Sequence, residues 1–250
     1  MTQNRVAMVT GASRGIGAAI ALGLAKRGYD LALNDIEGAS AELENTAKSA
    51  RANGGRAEIF IADVSQKVQV DAMAASVLKA FGNLDVIVNN AGILIAGEVD
   101  GLPENAWNSV MDINAKGSFM VIQAFLPAMK ARQYGRIVNI ASIGGKHGAP
   151  EQAHYSASKA AVMGFSRVLA QEVGPLGINV NCVCPGIILT DMGRVNLEDP
   201  VVREAWQAKT AMARIGDPED VVGPVAFLAS DDAAFVTGQS LNVDGGIVFS

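Results

Sequence analysis

Cysteine is scarce in this sequence of 250 residues, which contains only Cys182 and Cys184. One residue separates the two in a strand-like segment, where their Cα atoms would be about 6.6 Å apart and a disulfide would be strained. The sequence therefore predicts a protein without disulfides in a reducing compartment, and we expect a cytoplasmic location.

Long apolar runs and an excess of basic charge are also missing. No stretch approaches the roughly 18 uncharged apolar residues of a membrane span. The first five residues lack the basic, apolar and small-residue succession of a signal peptide. The net charge is −5, whereas nucleic-acid binders usually carry a basic face. Half of the residues are apolar, which excludes a disordered chain. We therefore expect no nucleic-acid partner and no membrane association.

Short apolar strands alternate with helical stretches along the whole chain. Most of the strands are nearly continuous apolar runs, which is typical of parallel strands buried on both faces. The alternation predicts an α/β fold: a single Rossmann-type domain, residues 1–250, with a doubly wound, seven-stranded parallel sheet and helices on both faces. The predicted strands are 5–9, 31–34, 56–61, 84–88, 135–140, 178–184 and 240–243.

Two helices have clear start and stop signals. Ser65 is expected to cap a helix over 65–81, and Gly82 is expected to end it. A second helix is predicted to open at Asp217, which is followed by a proline and two acidic residues. The buried stripe of the first helix is predicted to be Val68, Ala72, Met73, Val77, Leu78 and Phe81.

A glycine-rich turn, Thr10-Gly11-Ala12-Ser13-Arg14-Gly15-Ile16-Gly17, follows the first strand. Its glycines let the backbone turn tightly and approach a ligand. The following helix offers free N–H groups and a positive dipole to a pyrophosphate. The spacing differs from the common G-x-G-x-x-G fingerprint, and an ordinary strand-to-helix turn would look similar. The position of the turn between a strand and a helix favours a dinucleotide site.

Asp35, at the end of the second strand, indicates which dinucleotide is bound. A carboxylate there hydrogen-bonds the adenosine ribose hydroxyls and repels a 2′-phosphate. Arg14 has the opposite tendency, because a guanidinium in the glycine loop can pair with a 2′-phosphate. Asp35 occupies the ribose position itself, so the sequence favours NAD over NADP.

Tyr155 and Lys159 lie four residues apart near the start of a long helical stretch, and they therefore share a helix face. An ammonium ~4 Å from a phenol, at an effective dielectric of ~20, is worth roughly 4 kcal/mol, or about three pKa units. Such a shift would turn tyrosine, a poor base at neutral pH, into a working acid/base. The pair alone is weak support, because Tyr-x-x-x-Lys also arises by chance.

These motifs occur together and in order with others, and over residues 5–249 the chain resembles the short-chain dehydrogenase/reductases. Ser142 precedes Tyr155 by 13 residues, which is the usual spacing of that family. The resemblance implies an NAD(P)-dependent oxidoreductase that acts on CH–OH groups. The further matching motifs are Asp63-Val64, Asn89-Asn90-Ala91-Gly92, Asn114, Pro185-Gly186 with Thr190, and Asp244-Gly245-Gly246.

The resemblance also implies roles for individual residues. Tyr155 would be the base in alcohol oxidation and the acid in carbonyl reduction, while Lys159 lowers its pKa and holds the nicotinamide ribose. Ser142 would hydrogen-bond the substrate oxygen. Asn114 would hold a water in line with Lys159, satisfy a helix backbone, or do both. The implied cofactor-binding residues are Gly11, Ser13, Arg14, Gly15, Ile16, Gly17, Asp35, Asp63, Val64, Asn90, Gly92, Tyr155, Lys159, Pro185, Gly186, Ile188 and Thr190.

The substrate is expected to lie against the segments that the family constrains least, 93–96, 143–152 and 191–212. A lid over the nicotinamide is expected around residues 190–213. Polar groups in 143–152 suit a hydroxylated substrate, although they would also simply solvate a loop. No metal site is expected, because the two histidines stand apart from any acid or cysteine cluster. The expected substrate contacts are Ser142, His147, Gln152, Met192 and Trp206.

The expected function is NAD(H)-dependent interconversion of a secondary alcohol, in a polyol, sugar or vicinal diol, and its carbonyl. The alternative is an NADPH-dependent 3-oxoacyl-(acyl-carrier-protein) reductase. Such enzymes normally use NADPH and a basic patch for the acidic carrier, so Asp35 and the net acidity argue against this alternative. A non-catalytic dinucleotide sensor is a third interpretation, which the complete set of catalytic residues disfavours.

Apolar residues on segments that a monomer would leave outside predict a homotetramer with two-fold axes. These segments are the helices around 107–129 and 155–173 and the C-terminal residues 247–249. The helix pairs could build an isologous four-helix contact, as they do in the family that the chain resembles.

Overall fold

The computed structural model describes residues 4–190, 197 and 199–249. In this part of the chain, seven parallel strands form one sheet in the order β3-β2-β1-β4-β5-β6-β7. The predicted fold class and all seven strands are confirmed, and no strand end is shifted by more than two residues. The strands are β1 (Val6–Thr10), β2 (Asp30–Asp35), β3 (Ala57–Ile61), β4 (Val86–Asn89), β5 (Gly135–Ile140), β6 (Ile178–Pro185) and β7 (Ser240–Val243).

Helices cover both faces of the sheet. One apolar core lies between the sheet and α1, α2 and α9, and a second lies on the opposite face beneath α3, α5 and α7. The helices are α1 (Gly15–Ala25), α2 (Ser40–Arg51), α3 (Lys67–Phe81), α4 (Glu104–Val110), α5 (Gly117–Arg132), α6 (Gly144–His147), α7 (Ala153–Val173), α8 (Pro200–Lys209) and α9 (Pro218–Leu228).

The α3 helix starts later than predicted and buries a different stripe. It begins at Lys67, so Ser65 lies outside it and does not cap it. Val68 is 82% exposed and Ala72 is also exposed, because neither is in phase with the residues that face the sheet. Gly82 ends the helix in the left-handed conformation, as predicted. The buried residues of α3 are Val70, Met73, Ala74, Val77 and Phe81.

The start of α9 matches the prediction from the sequence. Asp217 directly precedes Pro218, which occupies the first helical position. The Asp217 N–H donates to the carboxylate of Asp220 at 2.8 Å. This acidic side chain thus satisfies a backbone donor at the positive end of the helix dipole.

The long helix predicted around 107–129 is interrupted in the structure. A π-helical turn, Met111–Lys116, joins α4 to α5. Such a turn carries an extra residue and rotates the side chains that follow it, and it is frequent at functional sites. Asn114 lies within this turn and is buried. Hydrophobic periodicity does not reveal an extra residue of this kind, so the sequence predicted one continuous helix.

Within the described ranges, three features bear on the predicted absences. Cys182 and Cys184 are both free thiols, buried on β6. No helix there is long and apolar enough to cross a membrane. The same residues contain no group of three or more histidine, cysteine or acidic side chains that could hold a metal ion.

A buried carboxylate, Asp85, joins three elements at the edge of the sheet where the strands begin. It is 3% exposed. One oxygen accepts the Val6 N–H at 2.8 Å and the Asn83 amide at 2.9 Å, and the other accepts the Arg132 guanidinium at 2.7 Å. Asp85 therefore ties the start of β1 and the end of α5 to the turn before β4.

Replacing Asp85 by alanine should destabilise the protein strongly, because the Val6 N–H and the Arg132 guanidinium both lose a buried partner. The expected loss in the free energy of unfolding is about 3 kcal/mol. Asp71→Ala, which removes an exposed carboxylate paired with Lys67, should cost less than about 0.5 kcal/mol. Urea denaturation measures both variants, and equal losses would contradict the role given to Asp85.

Candidate active site

The glycine-rich loop after β1 folds tightly against the start of α1. Gly11 and Gly15 have φ angles of +63° and +56°, a region that favours glycine. A Cβ on Gly17 would lie 2.0 Å from the carbonyl oxygen of Gly11. Arg14 precedes α1 without capping it, and the first turn of α1 holds no acidic residue. The loop and the free N–H groups of α1 therefore fit the pyrophosphate of a dinucleotide.

Asp35 lies beside this loop at the end of β2. One of its carboxylate oxygens accepts the Ser13 N–H at 3.1 Å, and the other accepts the Ile36 N–H at 2.9 Å. The carboxylate is thus fixed at the mouth of the glycine loop. The side chain of Arg14 is exposed on the same loop.

Asn90 clamps the end of β4 to the end of β1. Its side-chain amide donates to the carbonyls of Thr10 at 3.0 Å and Gly11 at 2.9 Å. The Thr10 hydroxyl accepts the N–H groups of Asn90 at 3.0 Å and Ala91 at 3.1 Å. Both hydrogen bonds of the Asn90 side-chain amide are used in shaping the loop, so a contact with the cofactor would have to use the other polar atoms of Asn90.

The remaining predicted cofactor residues lie at the same edge of the sheet. Val64 follows β3 and is buried against Gly117, where a Cβ would lie 2.9 Å from a Val64 methyl carbon. A Cβ on Gly186 would lie 2.8 Å from the Cα of Asp244, so this position also requires a close approach of two backbones. Residues of this group end or follow β3, β4 and β6; they are Asp63, Val64, Asn90, Gly92, Pro185, Gly186, Ile188 and Thr190.

Ser142 and Tyr155 meet at the end of β5. Ser142 follows this strand, Tyr155 lies in the first turn of α7, and a hydrogen bond joins their side chains. The Ser142 hydroxyl also accepts the Gly144 N–H at 3.0 Å. Burial raises the pKa of Tyr155 above its usual value, and the hydrogen bond with Ser142 opposes this rise. The phenol is therefore protonated at neutral pH.

Lys159 lies one helical turn after Tyr155 and is 5% exposed. Its ammonium donates to the Ile140 carbonyl at 2.8 Å and lies 5.6 Å from the centroid of the Tyr155 ring. Burial lowers the pKa of Lys159 to about 8. The predicted effect of Lys159 on the pKa of Tyr155 stays a prediction. The ammonium is bound to the Ile140 carbonyl, and burial of the phenol dominates its titration.

Asn114 connects the π turn to the loop after β4 and to α7. Its side-chain oxygen accepts the Ile93 N–H at 2.8 Å, and its amide donates to the Ile93 carbonyl at 2.9 Å and the Ser158 hydroxyl at 3.1 Å. A Cβ on Gly92 would lie 3.2 Å from the Asn114 oxygen and 3.5 Å from the Lys159 ammonium. Asn114 thus satisfies the backbone of the loop after β4 and not that of a helix, and the water relay stays a prediction. Sequence reasoning missed Ser158, although it lies between Tyr155 and Lys159.

Four of the five predicted substrate residues lie in the described part of the chain. Ser142 lies beside the phenol, whereas His147 is exposed at the end of α6. Gln152 is half-buried directly before α7, and Trp206 is half-buried on α8. Met192 lies outside the described residues. A pocket formed by all five therefore stays a prediction.

Part of the predicted lid (residues 190–213) forms α8. Just beyond α8, the Met212 N–H donates to the Gly245 carbonyl at 3.1 Å. Arg214 then holds the Asp220 carboxylate through two hydrogen bonds of 2.6 and 2.7 Å. The C-terminal end of this segment is thus anchored to the turn after β7 and to the start of α9.

Replacing Lys159 by methionine should stabilise the folded protein at neutral pH while it removes the ammonium from the site. Because its pKa falls from 10.5 to about 8 on folding, folding buries a charge at every pH below 8. This costs up to about 3 kcal/mol. The cost shrinks as pH rises from 8 to 10.5, where the unfolded chain binds more protons than the folded one.

Urea unfolding of wild type and Lys159→Met, at neutral pH and at a pH near the unfolded-state value, measures this effect. The advantage of the variant should be largest below pH 8 and smallest above 10.5. An advantage that does not change with pH would show that the ammonium is not buried as described.

Comparisons with known proteins agree with this geometry. Residues 11–248 match the family model described as "Enoyl-(Acyl carrier protein) reductase". A 3-oxoacyl-[acyl-carrier-protein] reductase of Staphylococcus aureus is 40% identical over 247 residues, which is 99% of both chains. The structure of an NAD⁺-bound xylitol dehydrogenase matches with a TM-score of 0.93 and 35% identity, over 98% of this chain and 100% of that one. Levodione reductase matches with a TM-score of 0.92 and 32% identity, over 96% of each chain. The chain therefore belongs to the short-chain dehydrogenase/reductase family and is an oxidoreductase.

Proposed function

We propose that the protein is an NAD-dependent dehydrogenase of a small polyol, sugar or vicinal diol, interconverting a secondary alcohol and its carbonyl. The observation that carries this proposal is the Asp35 carboxylate, which two backbone N–H groups hold at the mouth of the glycine loop. There it would accept hydrogen bonds from ribose hydroxyls and repel a 2′-phosphate. Two like charges ~4 Å apart near a surface repel by on the order of a few kcal/mol.

The residues around Ser142 would handle the proton of the reacting hydroxyl. Bound NAD supplies the hydride acceptor. The Ser142 hydroxyl would donate a hydrogen bond to the substrate oxygen and orient it. The Tyr155 phenolate would take the proton during oxidation, and the phenol so formed would return it during reduction. A nearby positive charge favours the phenolate, and Lys159 supplies one 5.6 Å from the ring centroid.

Exposed carboxylates on the loops after β4 and β5 favour a small substrate over one carried by an acidic protein. The two loops are joined, since the Gly97 N–H donates to the Glu151 carbonyl at 2.9 Å. Glu98, Asp100 and Glu151 are all exposed on these loops. Their negative charges would repel an acidic carrier protein as it approached.

The likeness to 3-oxoacyl-[acyl-carrier-protein] reductases supports a second candidate. The Staphylococcus aureus relative matches 99% of this chain at 40% identity. On this alternative the protein would use NADPH to reduce the 3-oxo group of a carrier-bound acyl chain. The two candidates differ in both cofactor and substrate, so two separate experiments distinguish them.

Cofactor preference should follow Asp35. Wild type should have a higher kcat/KM with NAD than with NADP. Asp35→Ser should move that ratio towards NADP by about 10- to 100-fold, because the repulsion of the 2′-phosphate is removed. Glu37→Gln removes an exposed carboxylate two residues further along and should leave the ratio within about twofold. A wild type that prefers NADP would disprove the assignment of Asp35.

The enzyme should prefer a vicinal diol to the matching alcohol that has only one hydroxyl group. A panel that pairs each vicinal diol with its mono-alcohol, plus a 3-oxoacyl thioester, is read by nicotinamide absorbance. A site that hydrogen-bonds a second hydroxyl should reject the deoxy compound by a large factor, because its polar groups would be left unpaired. Tyr155→Phe is the control, because it lacks the proton-carrying hydroxyl and should lose about 10²–10⁴-fold in kcat. Equal kcat/KM values within each pair, or a preference for the thioester with NADPH, would favour the reductase.

We also infer that the protein assembles as a homotetramer. Large apolar side chains are at least 40% exposed on two separate surfaces, and β7 is an edge strand of the sheet. Isologous pairing of each surface about a two-fold axis would cover both and produce a closed tetramer. One surface carries Trp107, Phe119 and Val168 on α4, α5 and α7; the other carries Phe227, Leu241 and Phe249.

Light scattering at micromolar concentration tests this assembly. The expected mass is close to four times the 25.9 kDa of one chain. A mass near that of a single chain would refute the assembly, and a mass near twice that value would leave only one of the two surfaces paired.

A further inference from the structure

A row of buried polar side chains crosses the sheet on the face that α7 covers. Asn89, Asn139 and Cys182 are register partners on β4, β5 and β6, and each is almost fully buried. Buried amides are unfavourable unless they are hydrogen-bonded. The positions two residues earlier on the same strands are apolar: Ile87, Ile137 and Val180.

Asn139 is the link between this row and α7. The Asn89 amide donates to the side-chain oxygen of Asn139 at 2.9 Å. The Asn139 amide in turn donates to the Ser166 hydroxyl on α7 at 2.8 Å. The Cys182 thiol lies 3.3 Å from the same hydroxyl oxygen. Sheet and helix are therefore joined by a hydrogen bond in which donor and acceptor are both buried.

Ser166 lies on the same face of α7 as Lys159. The two are seven residues apart, which is two helical turns. Lys159 is bonded to the carbonyl of Ile140, the residue that follows Asn139. Consecutive residues of β5 thus hold α7 at two points, one through a side-chain amide and the other through a main-chain carbonyl.

The same row reaches the π turn on its other side. The Asn89 amide lies 3.5 Å from the Ser118 carbonyl, and the Ser118 hydroxyl donates to the carbonyl of Asn114 at 2.9 Å. The elements that carry Asn114 and Lys159 are therefore both connected to Asn139.

Apolar contacts are not directional, so they define the position of a helix along its own axis less sharply than a hydrogen bond does. A hydrogen bond requires a donor–acceptor distance near 3 Å. A displacement of α7 by one residue is about 1.5 Å and would separate Asn139 from Ser166. Both groups would then be buried without a partner. The Asn139–Ser166 bond consequently selects one position of α7 on β5.

We propose that Asn139 is a positioning residue for the oxidoreductase reaction. Through Ser166 it sets the position of α7, and with it the placement of Tyr155 and Lys159 relative to Ser142. The proposal rests on the roles given to Tyr155 and Lys159, so one of its two tests does not depend on turnover.

The first test compares Asn139→Ala and Ser166→Ala with Asn181→Ala. Asn181 is a matched control: it is 1% exposed, but its side chain bonds Val236 and Gln239 in the loop before β7. All three variants should lose stability. Asn139→Ala and Ser166→Ala should lower kcat about tenfold or more, because small displacements of reacting groups are costly.

Further readouts separate positioning from loss of stability. The pH profile of kcat should shift in Asn139→Ala and Ser166→Ala, while the KM for the alcohol changes by less than about twofold. The double variant should be no slower than the slower single one, because both changes break the same bond. Asn181→Ala should keep the wild-type kcat and pH profile. Equal losses of kcat in Asn139→Ala and Asn181→Ala would overturn the proposal.

The second test is hydrogen exchange of the wild type and the three variants without substrate. Amides in the first half of α7 should exchange faster in Asn139→Ala and Ser166→Ala than in Asn181→Ala. Unchanged protection of α7 in both would overturn the proposal whatever the kinetics show. If Asn139→Ala does not fold, Ser166→Ala carries both tests. If Tyr155→Phe keeps full turnover while α7 loses protection, the catalytic assignment is wrong and the tether itself is supported.

Discussion

The burial of the Lys159 ammonium is the constraint on which the site depends. A charge at a 5% exposed position is unfavourable, as its pKa of about 8 shows. It is tolerated because the Ile140 carbonyl, at the end of a parallel strand, accepts a hydrogen bond from it. The carboxyl ends of β1, β4 and β5 all lie at this edge, so the ammonium, the glycine loop and Ser142 are neighbours without any long excursion of the chain. The cost of the buried charge is offset by the packing of two apolar cores.

The alternation of apolar strands and helices was sufficient to predict the sheet, because parallel strands buried on both faces leave a strong sequence signal. The glycine loop was also predictable, because the tight turn excludes side chains and so requires glycine in the sequence. A Cβ at Gly17 would collide with the Gly11 carbonyl. Other features depend on tertiary contacts. The phase of α3 was set by the sheet beneath it, which buries Val70 and leaves Val68 in solvent. The π turn at Asn114 leaves no periodic signature.

The pKa of Tyr155 shows more clearly that tertiary contacts cannot be predicted from residue spacing. The i, i+4 spacing predicted that Lys159 is near the phenol, and the structure places it 5.6 Å from the ring centroid. Spacing says nothing about burial, which raises the pKa of one member of the pair and lowers that of the other. Likewise, the sequence could not show that the side-chain amide of Asn90 donates both of its hydrogen bonds to the glycine loop. The likeness to 3-oxoacyl-[acyl-carrier-protein] reductases and the position of the Asp35 carboxylate support different candidates. Identity averages over the whole chain, and cofactor choice depends on a few atoms.

The hydrogen bond between the Gly97 N–H and the Glu151 carbonyl has a consequence for how two loops can move. It joins the loops after β4 and β5, and Glu151 holds a left-handed φ of +62° at the junction. The two loops are therefore linked through their main chains, and moving them apart would break this hydrogen bond. The segment that carries α8 is attached elsewhere, through the hydrogen bond of the Met212 N–H to the Gly245 carbonyl. A displacement of that segment therefore leaves the link between the loops after β4 and β5 intact.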